Sequence, residues 1–245
     1  IVSKSWPKSF DSFSLKKSLP VIKKSGRILG KINPSIANLL ETNEHLLIIS
    51  GTTDSNAAFI AAEVKENEGL TILGTTIVLK KIIKKTFNHP GITMHRVNGN
   101  WICGGSSNAG CGVLSKFFSD LDIKELSQQI NPKKKTTLNY LPLNSKGERF
   151  PINDPYLKPI IEPRPVSDAL FLHGLFEGLA KIELRGWRKL ENLSGYFPKK
   201  IITIGAGSKN PQWKSIREKT INVPIINSNK STSFGSALIA FNANF

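Results

Sequence analysis

The sequence has few cysteines, few acidic residues and no long apolar run, and each shortage excludes a class of protein. Its 245 residues contain two cysteines, Cys103 and Cys111, which are too few and too oddly spaced for a zinc cluster or a disulfide framework. The four histidines have no spacing that would place them on one helical face, so we predict no metal held by protein nitrogen or sulfur. The apolar runs are far shorter than a membrane span, and no signal peptide is visible. We therefore expect a cytoplasmic protein with no membrane partner.

The shortage of acidic residues leaves 34 lysines and arginines against 18 aspartates and glutamates, a formal net charge of +16. An excess of this size attracts polyanions, so a basic nucleic-acid-binding protein is one interpretation. The distribution argues against it. The excess is mostly lysine in scattered pairs, Lys133 to Lys135 form a triple, and no arginine-rich stripe with interleaved aromatics occurs. We predict a solvated basic surface and no nucleic-acid partner.

One carboxylate stands at a corner between a strand and a helix. The segment ISGTTDSNAAFIAAEV places Asp54 after a Gly-Thr-Thr turn and ahead of an Ala-rich run that predicts a helix. One interpretation is a helix N-cap, because an Asp side chain accepts a hydrogen bond from the free amides of the first helical turn. The other is a general base, because a carboxylate at a rigid corner, kept ionised by the helix dipole, can accept a substrate proton. The segment alone leaves both interpretations open.

The other segments predict a mixed α/β pattern with several glycine-rich turns. LTILGTTIVLKKI predicts a hairpin that turns at residues 74–76, and MHRVNGNWICGG predicts a second hairpin at Asn98-Gly99. KKIITIGAGSKNPQWKSIREKT predicts a strand, a glycine-rich turn and a helix, which is typical of a nucleotide-binding corner. EHLLIISG predicts a buried strand, and GGSSNAGCGVLSKFFSDL predicts small residues leading into an amphipathic helix. VSDALFLHGLFEGLAKIEL predicts a long helix, on which Gly174 and Gly178 indicate a close helix neighbour.

Each of these turns is a weak signal by itself, but their order along the chain is specific. Seven segments resemble, in sequence order, the FGGY carbohydrate kinases, and among them the pentulose kinases that include xylulokinases and D-ribulose kinases. The segments are GTTDSNAA, LGTT, GGSSNAGCG, LPLNSKGERFPINDP, GLFEGLAKIE, IGAGSKNPQW and FGSALIA. They cover nearly the whole chain.

The resemblance implies a fold and a division into lobes. It implies the actin-like ATPase (ribonuclease H-like) α/β fold, with a nearly complete C-terminal lobe and a remnant of the N-terminal lobe. Residues 1–61 would be the end of the N-terminal sugar-binding lobe, together with a returning helix at 234–245, and residues 62–233 would be the C-terminal nucleotide-binding lobe. Kinases of this superfamily begin with a D-x-G-T phosphate hairpin, and that motif does not occur in these 245 residues. We therefore expect a C-terminal portion of a kinase that is poorly active alone.

The resemblance also implies the site residues. Asp54 would be the catalytic base, and Mg²⁺ would be held largely by phosphates and water. Trp213 would lie near the adenine or would instead be a core aromatic residue, and both alternatives stay open. Ala206 stands where the family often has glycine, so its methyl group is expected to narrow the turn. The remaining ATP-binding positions are Gly74, Thr75, Thr76, Gly110, Gly205, Gly207, Ser208 and Asn210.

The function implied by the resemblance is ATP-dependent phosphorylation of a small sugar. The acceptor would be a hydroxyl of a ketopentose, D-ribulose or D-xylulose, with Asp54 as the general base. The alternative, from a different class, is a catalytically silent module that retains the ATP-binding lobe without the sugar-binding half. The absence of D-x-G-T from these residues favours that alternative.

Overall fold

The computed structural model describes residues 5–14 and 16–243. Its helices are α1 (Pro34–Leu39), α2 (Asp54–Ala61), α3 (Cys111–Leu114), α4 (Asp120–Gln128), α5 (Asp168–Ser194), α6 (Pro211–Ile221) and α7 (Thr232–Phe241). Its strands are β1 (Ile28–Lys31), β2 (Leu47–Ile49), β3 (Glu68–Leu73), β4 (Ile77–Ile83), β5 (Thr93–Val97), β6 (Asn100–Ser106), β7 (Lys200–Ile204) and β8 (Ile225–Asn227). The interleaved strands and helices are the mixed α/β pattern that the sequence predicts.

A six-stranded mixed sheet organises the molecule. Its strand order is β5-β6-β4-β3-β7-β8. Strand β3 runs parallel to β7, β7 runs parallel to β8, and β4 is antiparallel to both β3 and β6. The carboxyl ends of β3, β6 and β7 and the start of β4 therefore lie at one edge of the sheet. Loops that follow these strands meet at that edge, which is where open α/β sheets bind ligands.

Helix α5 covers one face of this sheet and supplies much of the core. Leu172, Leu175 and Leu179 are fully buried, and they belong to the same apolar cluster as Leu79 of β4 and Ile201 of β7. Burial of each such side chain contributes about 1.5–3 kcal/mol to folding. Helix α6 packs beside α5, so the two helices form a closed layer over the sheet.

The two glycines of α5 have a different neighbour from the predicted one. A Cβ built on Gly174 would lie 2.7 Å from Leu138 Cδ1, and a Cβ on Gly178 would lie 2.7 Å from Pro142 Cδ. Residues 138–142 form a loop with an isolated bridge to Ile160, not a helix. The predicted close approach is present, but the prediction of a helical neighbour is wrong. The glycine spacing indicates where another segment approaches the helix, but it does not indicate the secondary structure of that segment.

Helices α2 and α7 cover part of the opposite face of the sheet. Ala57 and Ala61 of α2 are buried, and a Cβ built on Gly235 of α7 would lie only 1.9 Å from the Ala57 carbonyl oxygen. The small residues therefore let the two helix backbones touch. The last helix spans Thr232–Phe241, compared with the prediction of residues 234–245, of which 244 and 245 lie outside the described residues.

Strands β1 and β2 form a separate two-stranded sheet. The segment containing β2 was expected to be a buried strand, but Leu46 is 45% exposed and Ile48 is 39% exposed. The prediction of a strand holds and the prediction of burial is wrong. The reason is the pairing: β2 bonds only to β1 within the described residues, so its apolar side chains have no second layer to pack against there.

Local turn chemistry explains the remaining elements. Both predicted hairpins are present, and Asn98 and Gly99 adopt the positive φ angles, 45° and 82°, that their short turn requires. The amphipathic helix predicted after GGSSNAG is split into α3 and α4, because a capping box at Ser119 and Asp122 starts a new helix. Among the described residues, no helix is long and apolar enough to cross a bilayer.

Candidate functional site

The β3–β4 turn and the start of α3 are in direct backbone contact at the edge defined above. The Cys111 N–H donates to the Gly74 carbonyl at 2.9 Å, and the Gly112 N–H donates to the Thr75 carbonyl at 3.1 Å. A Cβ built on Gly110 would lie 2.6 Å from the Thr75 carbonyl oxygen. A larger residue at position 110 would therefore push the two segments apart.

The turn after β7 joins the same place. A Cβ on Gly205 would lie 2.3 Å from the Leu73 carbonyl oxygen, and φ at Gly205 is +108°, which favours glycine. A Cβ on Gly207 would lie 2.9 Å from Cys111 Sγ. The three glycine-rich turns, which are more than 30 residues apart along the chain for each neighbouring pair, thus converge on one patch. We call this patch, residues 74–76, 110–112 and 205–208, the glycine edge.

The glycine edge offers hydrogen-bond donors of the kind that bind phosphate. Thr75 is exposed and Thr76 is half-buried. Neither hydroxyl has a hydrogen-bond partner within the part of the chain that the structure describes. Hydroxyls and turn amides that protein groups leave free can donate to an anion. The local geometry therefore agrees with the phosphate-binding role implied for Gly74, Thr75 and Thr76, which stays a prediction.

Ser208 and Asn210 use their side chains within the protein. The Ser208 hydroxyl donates to the Gly205 carbonyl at 2.7 Å. Asn210 is the N-cap of α6, since its Oδ1 accepts the Trp213 N–H at 2.9 Å, while its Nδ2 donates to Ser127 Oγ at 2.6 Å. Both residues therefore shape the turn. Ala206 is exposed, so its methyl group does not take part in the close contact that Gly205 makes with Leu73.

Trp213 is a core residue, which is the second of the two alternatives open for it. Its side chain is 1% exposed and stacks on Phe176 with ring centroids 5.0 Å apart and planes inclined by 4°. An indole covered on this scale has no open face for an adenine ring. Gly207 packs against its edge, because a Cβ there would lie 2.6 Å from Trp213 Cζ3. Trp213 therefore supports the turn of the glycine edge that contains Gly207.

Asp54 lies at the first position inside α2 and is not its N-cap. The N-cap is Thr53, whose side chain makes no capping bond, and the Asp54 carboxylate accepts the Ser55 N–H at 2.6 Å. Asp54 is exposed. A carboxylate in the first turn interacts favourably with the positive end of the helix dipole. The geometry thus removes the N-cap interpretation and leaves a solvent-facing carboxylate on a fixed corner.

A buried lysine that the sequence reasoning missed ties this corner to the sheet. Lys80 of β4 is 3% exposed, and its Nζ donates to Asn56 Oδ1 on α2. Asn56 in turn donates to Thr52 Oγ1 at 3.4 Å. Burial lowers the pKa of Lys80 to about 8, and the negative charge of Asp54 opposes that shift. The available signal was the pair of lysines inside an apolar strand, IVLKKII.

A second missed feature is a buried ion pair on the other face of the sheet. Arg217 of α6 bonds to Glu183 of α5 through Nε and a terminal nitrogen, at 2.6 and 2.8 Å. Arg217 also donates to Thr203 Oγ1 at 3.0 Å, and Thr71 Oγ1 donates to Glu183 at 2.6 Å. Thr71 and Thr203 sit opposite each other on β3 and β7. The ion pair therefore locks together the two strands that lead into the glycine edge.

Comparison with solved structures finds the same architecture in several kinases. A ligand-bound xylulose kinase from Lactobacillus acidophilus has a TM-score of 0.80 at 18% identity, over 98% of this chain and 52% of that one. The chain has the fold of carbohydrate kinases. A gluconate kinase from Lactobacillus acidophilus shares that fold at a TM-score of 0.81 and 19% identity, over 98% and 52% of the two chains. A Plasmodium falciparum glycerol kinase with ADP shares the fold at a TM-score of 0.76 and 19% identity, over 96% of this chain and 50% of that one.

These structural likenesses confirm the predicted fold. Their coverage shows how much of each kinase chain this protein matches. The chain spans about half the length of the carbohydrate kinases that it matches in structure. No family model matches the sequence. Among curated proteins, L-fuculokinase of Haemophilus influenzae is 38% identical over 58 residues, which is 23% of this chain and 12% of that protein. The carbohydrate-kinase fold therefore rests on the arrangement of the elements, and the sequence likeness is local.

Proposed function

We propose that this chain carries the nucleotide-binding lobe and the general base of an ATP-dependent carbohydrate kinase. The observation that supports the proposal is the convergence of the three glycine-rich turns into the glycine edge, on the carbohydrate-kinase fold. The free hydroxyls of Thr75 and Thr76 would donate to the phosphates of ATP. The backbones of Gly205 and Gly207 would line the adenosine side, because glycine lets a ligand approach the main chain closely.

In the proposed reaction, Asp54 takes the proton from a sugar hydroxyl as that oxygen attacks the γ-phosphorus of ATP. A bond forms between the sugar oxygen and phosphorus, and the bond from phosphorus to the bridging oxygen of ADP breaks. The products are a sugar phosphate and ADP, and the proton remains on the Asp54 carboxylate until it passes to water. Such a transfer depends mainly on positioning and electrostatics. A carboxylate at the start of a helix meets the first requirement.

Mg²⁺ fits this site as a companion of ATP. The described residues contain no cluster of three His, Cys, Asp or Glu side chains that could hold a metal ion. Mg²⁺ usually keeps several waters and binds through substrate phosphates with one or two carboxylates. The oxygens of ATP would supply the phosphate ligands, and Asp54 is a carboxylate available at the corner. When bound, the ion would neutralise charge on the phosphates.

The proposed acceptor is a ketopentose, D-ribulose or D-xylulose. The seven segments that resemble pentulose kinases support this class, and a xylulose kinase is among the structural neighbours. Gluconate and glycerol kinases share the fold equally well, so the fold does not select the sugar. A panel of D-ribulose, D-xylulose, gluconate, glycerol and L-fuculose, assayed for ADP formation with MgATP, tests the assignment. Faster turnover of a different acceptor than of either ketopentose would contradict it.

The base is tested with Asp54→Asn and a matched control. Asp120 is the control, because it is the first residue of α4 as Asp54 is of α2, and it is also exposed. We expect Asp54→Asn to lower turnover by about a hundredfold or more, the scale of a lost general base. Asp120→Asn should leave turnover unchanged, and both variants should retain the stabilisation that MgATP confers. Equal turnover for Asp54→Asn and the unaltered protein would contradict the role of Asp54.

A catalytically silent ATP-binding module is the second candidate. It is favoured by the glycine edge, whose backbone contacts all lie between residues 73 and 213 of this chain and need no sugar-binding half. In that case MgATP raises the melting temperature of the purified chain, as any ligand selective for the folded state does. No sugar phosphate would form with any acceptor. Robust phosphorylation of D-ribulose by the purified 245-residue chain would contradict both this candidate and the expectation of poor activity.

A further inference from the structure

Two consecutive lysines of β4 are buried on opposite faces of the sheet, and their surroundings differ. Lys80 is 3% exposed and Lys81 is 0% exposed. Successive side chains of a strand point to opposite faces, so Lys80 lies under α2 and Lys81 lies under the end of α5. Burying an ammonium group is costly unless its charge is compensated. For each lysine, we therefore ask which groups compensate the buried positive charge.

Lys81 is compensated by the protein itself. Its Nζ donates to Ser194 Oγ at 2.8 Å and to the Tyr196 carbonyl, and it lies 3.2 Å from the centroid of the Tyr196 ring. These contacts stabilise the chain where α5 ends. Burial lowers the pKa of Lys81 to about 8, and Cys103 and Glu191 oppose that shift. Lys81 has a complete structural explanation.

Lys80 has a single hydrogen-bond partner among the described residues, the side chain of Asn56. Two of its three N–H donors are therefore left over. The neighbouring strands place Leu70 and Gly104 beside it, and a Cβ built on Gly104 would lie 3.0 Å from Lys80 Cγ. The missing side chain of Gly104 makes room for the lysine, whose neighbours across the sheet offer no acceptor.

The charges around Lys80 point to Asp54. The ammonium group lies beneath the first turns of α2, and the positive end of a helix dipole disfavours a cation there. The titratable groups that interact with it are Asp54 on α2 and His95 on β5. Lys80 lowers the pKa of His95, after burial as the main cause, so His95 does not compensate the ammonium group. Asp54 is the acidic group whose charge opposes the effect of burial on the pKa of Lys80.

We propose that Lys80 is a positioning residue for Asp54. Through its hydrogen bond to Asn56 it anchors the first turn of α2, and through its charge it holds the carboxylate of Asp54 at the start of that helix. The chemical purpose of this arrangement rests on the proposed function, in which Asp54 takes a proton. The proposed coupling between the two charges can be measured without turnover.

The first test measures the Lys80 ammonium directly. In protein labelled with [6-¹³C]lysine, the signals of Lys80 and Lys81 are assigned by their loss in Lys80→Met and Lys81→Met and then followed against pH. We expect both to titrate near pH 8. Asp54→Asn should lower the midpoint of Lys80, because it removes the negative charge that favours the ammonium form, and should leave that of Lys81 unchanged. A Lys80 midpoint that does not respond to Asp54→Asn overturns the proposal.

The second test compares the two lysines in turnover of D-ribulose or D-xylulose with MgATP. Lys80→Met should lower kcat by about ten- to a hundredfold with little change in the KM for ATP, the scale of a misplaced catalytic group. Lys81→Met, equally buried, should retain kcat. If Lys80→Met does not fold, Asn56→Ala takes its place, and it should lower both kcat and the Lys80 midpoint. Equal kcat for Lys80→Met and Lys81→Met overturns the proposal. If the unaltered chain shows no turnover, the silent ATP-binding module is the remaining candidate, and the Lys80 midpoint alone decides this proposal.

Discussion

The two faces of the six-stranded sheet treat buried charge in opposite ways. On the face under α5 and α6, Glu183 and Arg217 bond to each other and to two threonines, and Lys81 bonds to Ser194 and Tyr196. On the face under α2, Lys80 has one hydrogen-bond partner among residues 5–14 and 16–243, and Asp54 is exposed. A charge whose bonding capacity is used within the protein contributes to the fold. A charged group whose hydrogen-bond donors or acceptors are not all used within the protein is available for a ligand or a reaction.

The largest expected effect is on the sheet face under α5 and α6, where the buried ion pair lies. Arg217→Met leaves the Glu183 carboxylate buried without a counter-charge, so it should lower the free energy of unfolding by about 3–5 kcal/mol, measured by urea denaturation. Arg188→Met is the control on α5. It breaks an ion pair with Glu191 in which the arginine side chain is 60% exposed, and such pairs contribute about 0–1 kcal/mol. Lys80→Met should cost much less than Arg217→Met, and equal costs would remove the distinction between the two faces.

A smaller effect is expected where α7 packs on α2. Gly235→Ala places a methyl group against the Ala57 carbonyl and should lower the free energy of unfolding by about 1–3 kcal/mol, the usual cost of overpacking. Gly51→Ala is the matched control, since a Cβ there meets nothing within 4 Å. Differential scanning calorimetry of the two variants gives the comparison. If Gly235→Ala is as stable as Gly51→Ala, then α7 is not in backbone contact with α2.

The smallest effect compares the glycine edge with the two-stranded region. Asn210 and Asn33 are both N-caps, of α6 and α1 respectively, and replacing either with alanine should cost about 1 kcal/mol. Only Asn210→Ala should also reduce the rise in melting temperature caused by MgATP, because Asn210 follows the turn that contains Gly205 and Gly207. Thermal denaturation with and without MgATP measures both effects. An equal loss of the ATP effect in Asn33→Ala would show that the loss reflects general destabilisation.

The features that the sequence predicted correctly are local ones. The hairpin at Asn98-Gly99 and the glycine turn after β7 depend on backbone angles that only a few residue types adopt readily. The features that it missed join distant segments. Thr71 and Glu183 are 112 residues apart, and Asn56 and Lys80 are 24 apart. Hydrophobic periodicity indicates which residues are buried, but it does not indicate which buried polar groups meet.

The two candidate functional residues Trp213 and Asp54 show the same limit of sequence-based prediction. From the sequence, each had two interpretations that fitted its neighbours equally well. The position of Phe176 decided for Trp213, because two stacked rings in the core leave no open face. The bonds of Thr53 and Ser55 decided against Asp54 as the N-cap. In both cases the answer lay in a contact that no short segment contains.

The sequence by itself determined the turns and the order of strands and helices, since each depends on steric and hydrogen-bonding preferences within a few residues. Only the tertiary structure decided that three glycine turns share one edge, that Lys80 bonds to Asn56 of α2, and that Glu183 and Arg217 lock β3 to β7. Packing around a common core brings such groups together, and the partners are chosen by the geometry of the whole sheet.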